Sequence, residues 1–362
     1  MAHRQLDSGR LRPGSGEPGH FQSCWVPLSP TELLAALASL VGLAKMALRH
    51  CRQESPVHGV SMAGWRNFVH SLTILWEAYL MAYSAEISRN NPTLFVFLID
   101  QSGSMADGVP DTEQPDRRKA DALALAINRL LQNLVIRCAK EEGVRDYFSV
   151  GVVGYGSKIG PAFSGPLAGR ETVPISDVGN MPARVEQRIK KTDDGAGGIL
   201  EQTIRLPIWF DPVADGGTPM CSALSHAHSI VQRWLAQHPD CFPPVVIHIT
   251  DGESTDGDPT NAMKSLTALS SSDGSVLLFN IHISSDGTAK PVAFPDTAAN
   301  LPNQYAQMLF ENASPLTYNM RAVANSQHGM NLSDGARGYV FNADMVLVIQ
   351  ALDIGTRPSN LR

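Results

Sequence analysis

Three separated segments carry side chains that suit a small divalent cation. They are Asp100, Ser102 and Ser104 in an Asp-x-Ser-x-Ser pattern, Thr218 after two glycines, and Asp251. These side chains offer only carboxylate and hydroxyl oxygens, the hard ligands that Mg²⁺ and Mn²⁺ accept. They include no sulfur or imidazole ligand and no nucleophile paired with a base. The set therefore indicates a cation that mediates binding rather than bond-breaking chemistry.

Asp100 and Asp251 each follow an apolar run that predicts a buried strand. The runs cover residues 94–99 and 245–249, and their apolar character is typical of strands covered on both faces. In an open parallel sheet, ligands bind beyond the carboxyl ends of the strands, where the strand order reverses. If these two strands are neighbours, both carboxylates meet at that point. Gly103 allows the backbone to bend tightly within the Asp-x-Ser-x-Ser segment.

From residue 93 onward, predicted strands alternate with predicted helices. Strands are expected at 94–99, 147–153, 245–249 and 276–283, and helices at 120–138, 219–237, 262–269, 304–311 and 345–352. This alternation predicts an α/β fold: a doubly wound, mostly parallel open sheet with helices on both faces. Residues 157–213 contain many Gly and Pro and are expected to form an edge hairpin and an inserted loop.

The first 80 residues differ from the rest of the chain. The stretch up to about residue 30 is rich in Gly, Pro, Arg and Ser, a composition typical of disorder. An apolar run at 33–44 ends at Lys45, short of the ~20 residues that span a bilayer. We expect residues 1–80 to be a disordered or partly helical extension, with Met81 as an alternative natural start. Residues 81–362 are expected to be one domain with a C-terminal helical extension.

Net charge and cysteine spacing indicate which partners and which location to expect. The chain has 362 residues, 43% of them hydrophobic, and a net charge of -6. A negative net charge argues against nucleic acid or an anionic membrane as the main partner. The cysteines show neither a disulfide framework nor the paired spacing of a zinc site, and this favours a reducing, cytoplasmic location. They are Cys24, Cys51, Cys138, Cys221 and Cys241.

The motif and its two later partners resemble a known adhesion site. Asp100-x-Ser102-x-Ser104, Thr218 and Asp251 are similar to the metal-ion-dependent adhesion site (MIDAS) of von Willebrand factor A (vWA) domains, over residues 93–354. The resemblance implies a Rossmann-like fold that binds Mg²⁺ or Mn²⁺. It implies that the three hydroxyls touch the metal directly, while the two aspartates act through waters or orient the hydroxyls. The implied function is non-catalytic binding of an acidic side chain of a protein partner.

Other segments resemble the intracellular, largely bacterial branch of vWA proteins. They are Arg145-Asp146-Tyr147-Phe148, the stretch from Asp215 to Met220, and the stretch from Ile249 to Ser254. Members of that branch are associated with AAA-type ATPases, or with protein kinases and phosphatases, which suggests a partner class. The N-terminal extension and residues 157–213 depart from the pattern.

Two other functions remain open from the sequence alone. A metal-dependent phosphohydrolase also uses an aspartate after its first strand. However, Ser102 stands where haloacid-dehalogenase-type phosphatases need a second aspartate. A scaffold protein that does not use its metal site is the other alternative.

Two further groups of polar residues have plainer interpretations. The acidic residues between 251 and 258 resemble a calcium loop, but glycine is misplaced and no closing glutamate stands at Ala262. We expect a solvated acidic loop there. His248 and His282 lie within predicted buried strands and are expected to be hydrogen-bonded core imidazoles.

Overall fold

The computed structural model describes residues 82–109, 117–193, 199–283 and 290–357. The expected extension at 1–80 and the alternative start at Met81 lie outside the described residues. The strands, in chain order, are β1 (Thr93–Asp100), β2 (Ala139–Lys140), β3 (Gly143–Val144), β4 (Phe148–Tyr155), β5 (Ile159–Pro161), β6 (Val173–Pro174), β7 (Arg184–Asp193), β8 (Ile199–Ile208), β9 (Val245–Thr250), β10 (Ser270–Ser271), β11 (Gly274–Ser275), β12 (Leu277–Ile283), β13 (Val292–Ala293) and β14 (Tyr339–Ala343).

Helices connect most of the longer strands. They are α1 (Lys119–Cys138), α2 (Ile175–Asn180), α3 (Met220–Gln237), α4 (Thr260–Ala268), α5 (Gln304–Glu311), α6 (Tyr318–His328) and α7 (Met345–Gly355), with 3₁₀ turns at Gly103–Ala106 and Gly165–Leu167. Within the described parts of the chain, none of the helices has the length and apolar character needed to cross a membrane.

An eight-stranded mixed sheet forms the centre of the fold. Its strands lie in the order β13-β14-β12-β9-β1-β4-β5, and β6 also pairs with β4. The five inner strands, from β14 to β4, are parallel, whereas β13, β5 and β6 are antiparallel to their neighbours. This sheet confirms the predicted α/β class.

Helices cover both faces of the sheet. Strand β1 is buried along its whole length, as its continuous apolar sequence predicts. Phe95 and Phe97 point into one hydrophobic cluster with residues of α1 and α7. Leu94 and Val96 point into the other, with residues of α3 and α4. The two clusters account for the doubly wound arrangement, because successive strand residues face opposite sides.

The strand order reverses beside β1. Strand β1 pairs in parallel with β4 on one side and with β9 on the other, so that Phe95 lies opposite both Val150 and Val245. The chain reaches β4 through α1, and later returns through α3 to β9 on the other side. The expectation that the strands ending near Asp100 and Asp251 are neighbours is therefore confirmed.

Two regions differ from the sequence-based expectations. Residues after 304 are not only helical, because β14 lies inside the main sheet between β12 and β13. Helix α6 was also not expected. In residues 157–213 a hairpin does form, from β7 and β8, but it is a separate two-stranded sheet. The strands that pair with the edge of the main sheet there are the short β5 and β6.

Asn128 of α1 connects that inserted region to the core. Its side chain is buried, and its Oδ1 accepts hydrogen bonds from the backbone N–H groups of Trp209 (2.8 Å) and Phe210 (3.1 Å). Its Nδ2 donates to the carbonyl oxygens of Phe210 and Ala124, both at 2.8 Å. The Asn128 amide therefore supplies hydrogen-bond partners to the buried backbone of Trp209 and Phe210, which directly follow β8.

We expect Asn128→Ala to lower the free energy of unfolding by about 3 kcal/mol, because buried backbone groups lose their partners at about 1 kcal/mol or more each. Urea denaturation followed by circular dichroism measures this change. Asn133→Ala is the matched control, since Asn133 is exposed on the same helix. Equal stability of the two variants would contradict the anchoring role of Asn128.

Candidate metal site

The two aspartates lie where the strand order reverses. Asp100 is the last residue of β1, and Asp251 directly follows Thr250, the last residue of β9. Asp100 is 1% exposed and Asp251 is 8% exposed. The two carboxylates are thus held together at a buried point beyond the carboxyl ends of the two inner strands.

Side-chain hydrogen bonds join four of the five predicted residues. Ser102 donates its backbone N–H to Asp100 Oδ1 at 2.8 Å, and the hydroxyls of Ser102 and Ser104 lie 3.0 Å apart. Ser104 Oγ donates to Asp251 Oδ1 at 2.7 Å. The second oxygen of Asp100, Oδ2, accepts from Thr250 Oγ1 at 2.8 Å. The Asp-x-Ser-x-Ser turn therefore reaches from one strand end to the other.

The electrostatics of this cluster favour a cation. Burial raises the pKa of Asp100 above its ordinary value, and the nearby charge of Asp251 acts in the same direction. Hydrogen bonds from Ser102 and Thr250 act in the opposite direction without cancelling the rise. A positive ion among these oxygens would relieve the repulsion between the two carboxylates.

Backbone contacts bring Thr218 to the same edge of the sheet. The Gly103 N–H donates to the Gly216 carbonyl at 2.9 Å, and the Thr255 N–H donates to the Thr218 carbonyl at 2.9 Å. A Cβ placed on Gly252 would lie 4.0 Å from Thr218 Oγ1, so that hydroxyl faces the residue next to Asp251. Thr218 is 6% exposed. Its loop is therefore packed between the two loops that carry the other four residues.

Gly216, two residues before Thr218, adopts a backbone conformation that favours glycine. Gly216 has a φ of 86°, which L-residues with side chains rarely adopt. A Cβ at Gly216 would lie 2.3 Å from the backbone nitrogen of Ser157. The Gly216-Gly217 pair thus lets the chain approach closely enough to place Thr218 beside the site.

Lys119 belongs to the site and was missed by the sequence analysis. Its Nζ lies 2.7 Å from Asp251 Oδ2, and both side chains are fully buried. A second carboxylate, that of Asp107, lies 3.7 Å away and is largely exposed. Lys119 is the first residue of α1, where the helix macrodipole disfavours a cation. A lysine at the start of a predicted helix could therefore have indicated, from the sequence, that its ammonium group has a tertiary partner.

A second buried polar network lies beside the candidate site. His248 Nε2 is 2.7 Å from Tyr155 Oη, and its Nδ1 is 3.0 Å from Asn280 Oδ1. Burial lowers the pKa of His248 to about 4, so the ring is neutral at pH 7. His282 stacks on the ring of Phe341, and burial lowers its pKa to about 4 as well. His248 is thus a hydrogen-bonded core imidazole. His282 Nδ1 accepts a hydrogen bond from the Asn342 N–H at 3.4 Å, and its ring also packs against Phe341.

The acidic stretch after Asp251 has a structural role. The carboxylate of Asp256 accepts hydrogen bonds from the backbone N–H groups of Cys221 and Ser222 at the start of α3. Although burial acts to raise its pKa, these bonds and those from nearby hydroxyls lower it to about 2. Asp256 therefore caps a helix. Among the described residues, no group of three or more His, Cys, Asp or Glu side chains is placed to hold a metal ion.

The donor chemistry of the candidate site fits a hard cation. Ser102 Oγ, Ser104 Oγ and Asp251 Oδ1 form a hydrogen-bonded series, Asp100 Oδ1 accepts the Ser102 backbone N–H, and Thr218 stands beside them. A set of two carboxylates and three hydroxyls, with no soft donor, suits Mg²⁺ or Mn²⁺. These five residues would hold the ion, and metal binding by them remains a prediction.

The fold and this site define an open doubly wound α/β domain with an oxygen-rich cluster at its topological switch point. No family model and no curated protein matches the chain. Among solved structures, it is similar to the manganese-loaded TRAP protein of Plasmodium vivax, with 16% identity and a TM-score of 0.28. That match covers 56% of this chain and 60% of the other.

Two pilus proteins show similarity of the same order. The vWF domain of the type V pili tip protein Mfa5 from Porphyromonas gingivalis matches with 13% identity and a TM-score of 0.25, over 67% of this chain and 55% of that one. The pilus adhesin RrgA from Streptococcus pneumoniae matches with 18% identity and a TM-score of 0.25. That match covers 47% of this chain and 21% of the adhesin. Similarities at this level carry no conclusion about function.

Proposed function

We propose that this chain is a non-catalytic protein-binding module that uses Mg²⁺ or Mn²⁺ to bind an acidic side chain of a partner. Asp100, Ser102, Ser104, Thr218 and Asp251 would hold the ion. The observation that supports this proposal is the unbroken series of polar contacts from Asp100 through Ser102 and Ser104 to Asp251, at the switch point of the sheet.

The hydroxyl and carboxylate side chains have different roles in the proposed site. The serine and threonine hydroxyls are neutral donors, so they leave much of a cation's charge uncompensated. Asp251 accepts a hydrogen bond from the Ser104 hydroxyl, Asp100 accepts one from the Ser102 backbone N–H, and the two carboxylates supply the negative charge. When bound, the cation supplies a coordination position that a carboxylate oxygen of the partner can fill.

The class of partner follows from the resemblance to intracellular vWA proteins. On that basis we propose an AAA-type ATPase or a protein kinase or phosphatase as the partner, in the cytoplasm. The site itself selects only the chemistry of the contact, which is a carboxylate.

We expect a partner that co-purifies with the protein from native cells to be lost when a chelator removes divalent cations. The same partner should be lost with Ser102→Ala/Ser104→Ala, because both hydroxyls belong to the proposed site. Ser225→Ala/Ser229→Ala is the matched control. Those two hydroxyls bond to the backbone of their own helix, at Cys221 and Ser225.

Normal partner binding by the Ser102→Ala/Ser104→Ala protein would contradict the proposal. A different contradiction would come from Mg²⁺-dependent hydrolysis of an aryl phosphate that Asp100→Asn abolishes. That result would favour the metal-dependent phosphohydrolase instead.

A further inference from the structure

We propose that Lys119 is a built-in counter-ion of the candidate metal site, which weakens binding of the cation alone and makes cation and carboxylate bind cooperatively. This inference rests on the proposed function, since it concerns the same site. It assigns Lys119 a positioning and tuning role, because a fully buried ammonium group cannot itself touch a partner.

The two carboxylate oxygens of Asp251 have different hydrogen-bond partners. Lys119 Nζ contacts Oδ2 at 2.7 Å, while Ser104 Oγ donates to Oδ1 at 2.7 Å. Lys119 therefore fixes the carboxylate through Oδ2 and leaves Oδ1 to the Ser104 hydroxyl. An ammonium placed this way supports the donor set without occupying a hydroxyl position.

The charge of Lys119 changes what the site attracts. Lys119 lowers the negative charge of the two-carboxylate site from two to one. The Asp107 carboxylate, 3.7 Å from the ammonium, is largely exposed, so solvent screens its contribution. Charges at a buried site are poorly screened, so this difference reduces the attraction for a divalent cation. Once a divalent cation is present, the same ammonium leaves an excess positive charge, which favours an incoming anion.

Cooperativity follows from this balance. If Lys119 makes the loaded site more attractive to a carboxylate, a carboxylate must by linkage raise the affinity for the cation by the same factor. Without the ammonium, the affinity for the cation alone should rise and the coupling between cation and anion should fall. A purely structural lysine would affect stability without moving these two quantities in opposite directions.

The test is a calorimetric titration with Mn²⁺, carried out with and without acetate at constant ionic strength. We expect Lys119→Met, which removes the ammonium and keeps an unbranched stem, to bind Mn²⁺ alone about tenfold more tightly than the wild type. Acetate should tighten Mn²⁺ binding by the wild type and do so much less in the variant. Lys158→Met is the matched control, because Lys158 is exposed near the Gln101 loop and its charge is screened.

Each outcome decides the inference. Unchanged or weaker Mn²⁺ binding by Lys119→Met, beside normal binding by the wild type, would overturn the counter-ion role and leave the proposed function standing. If neither protein binds Mn²⁺, both proposals fail. If only the variant binds, the counter-ion role is supported and metal use by the wild type is contradicted. Should Lys119→Met not fold, Lys119→Gln, which removes the charge and keeps a donor for Asp251, decides by the same two criteria: tighter Mn²⁺ binding with a weaker acetate effect supports the inference, and unchanged or weaker Mn²⁺ binding overturns it.

Discussion

Replacing Ser102 and Ser104 together by alanine is expected to lower the affinity for Mn²⁺ by about 100-fold, or roughly tenfold for each hydroxyl removed. The two hydroxyls lie 3.0 Å apart, and the Ser104 hydroxyl donates to Asp251 Oδ1 at 2.7 Å. Alanine removes both oxygens and also the hydrogen bond that turns Asp251 Oδ1 toward the cluster. The remaining donors would be too few and too loosely held to replace the water around the ion.

Isothermal titration calorimetry with Mn²⁺ measures this loss directly. Circular dichroism and thermal melting of the same sample show whether the fold is retained. The Ser225→Ala/Ser229→Ala protein, with the same change of composition on α3, should bind as the wild type does. Affinity within about twofold of the wild type for the Ser102→Ala/Ser104→Ala protein would show that these hydroxyls are not ligands.

The second large effect concerns stability. Asp251→Asn is expected to lower the free energy of unfolding by about 3–5 kcal/mol in the presence of a chelator. The substitution leaves the ammonium of Lys119 fully buried without the carboxylate that lies 2.7 Å from it. Asp107 is a poor substitute, because it lies 3.7 Å away and is largely exposed. An uncompensated buried charge costs far more than the pair itself contributes.

A double substitution isolates this cause. If the penalty comes from the stranded ammonium, Asp251→Asn/Lys119→Met should be more stable than Asp251→Asn alone. Urea denaturation of both proteins provides the comparison, with Glu253→Gln as the control for loss of a carboxylate from the exposed part of the same loop. A double variant that is less stable than the single one would locate the effect elsewhere in the loop.

The sequence predicted the parts of the fold that have long or strongly apolar patterns. The strands ending at Asp100 and Thr250 are inner strands buried on both faces, so their composition alone distinguishes them. Helix α1 has enough turns for its apolar periodicity to be clear. Because β1 and β9 flank the point where strand order reverses, the meeting of Asp100 with Asp251 also followed from general rules.

Other elements could not be predicted because their signals are short or non-local. Strand β14 has only five residues, and such a run does not establish a period. The pairing of Lys119 with Asp251 joins residues far apart in sequence, and only the folded chain brings them together. The acidic loop after Asp251 is exposed, as predicted, but the hydrogen bonds from the Cys221 and Ser222 N–H groups to Asp256 add a helix-capping role that the sequence did not indicate.

Crystals of the wild-type protein soaked in Mn²⁺ and measured at the manganese absorption edge would test the proposed site most directly. We expect one strong anomalous peak in contact with the hydroxyls of Ser102, Ser104 and Thr218, with Lys119 still paired to Asp251. A map without a peak among these side chains, while manganese is visible elsewhere in the crystal, would contradict cation-dependent binding at the end of β1.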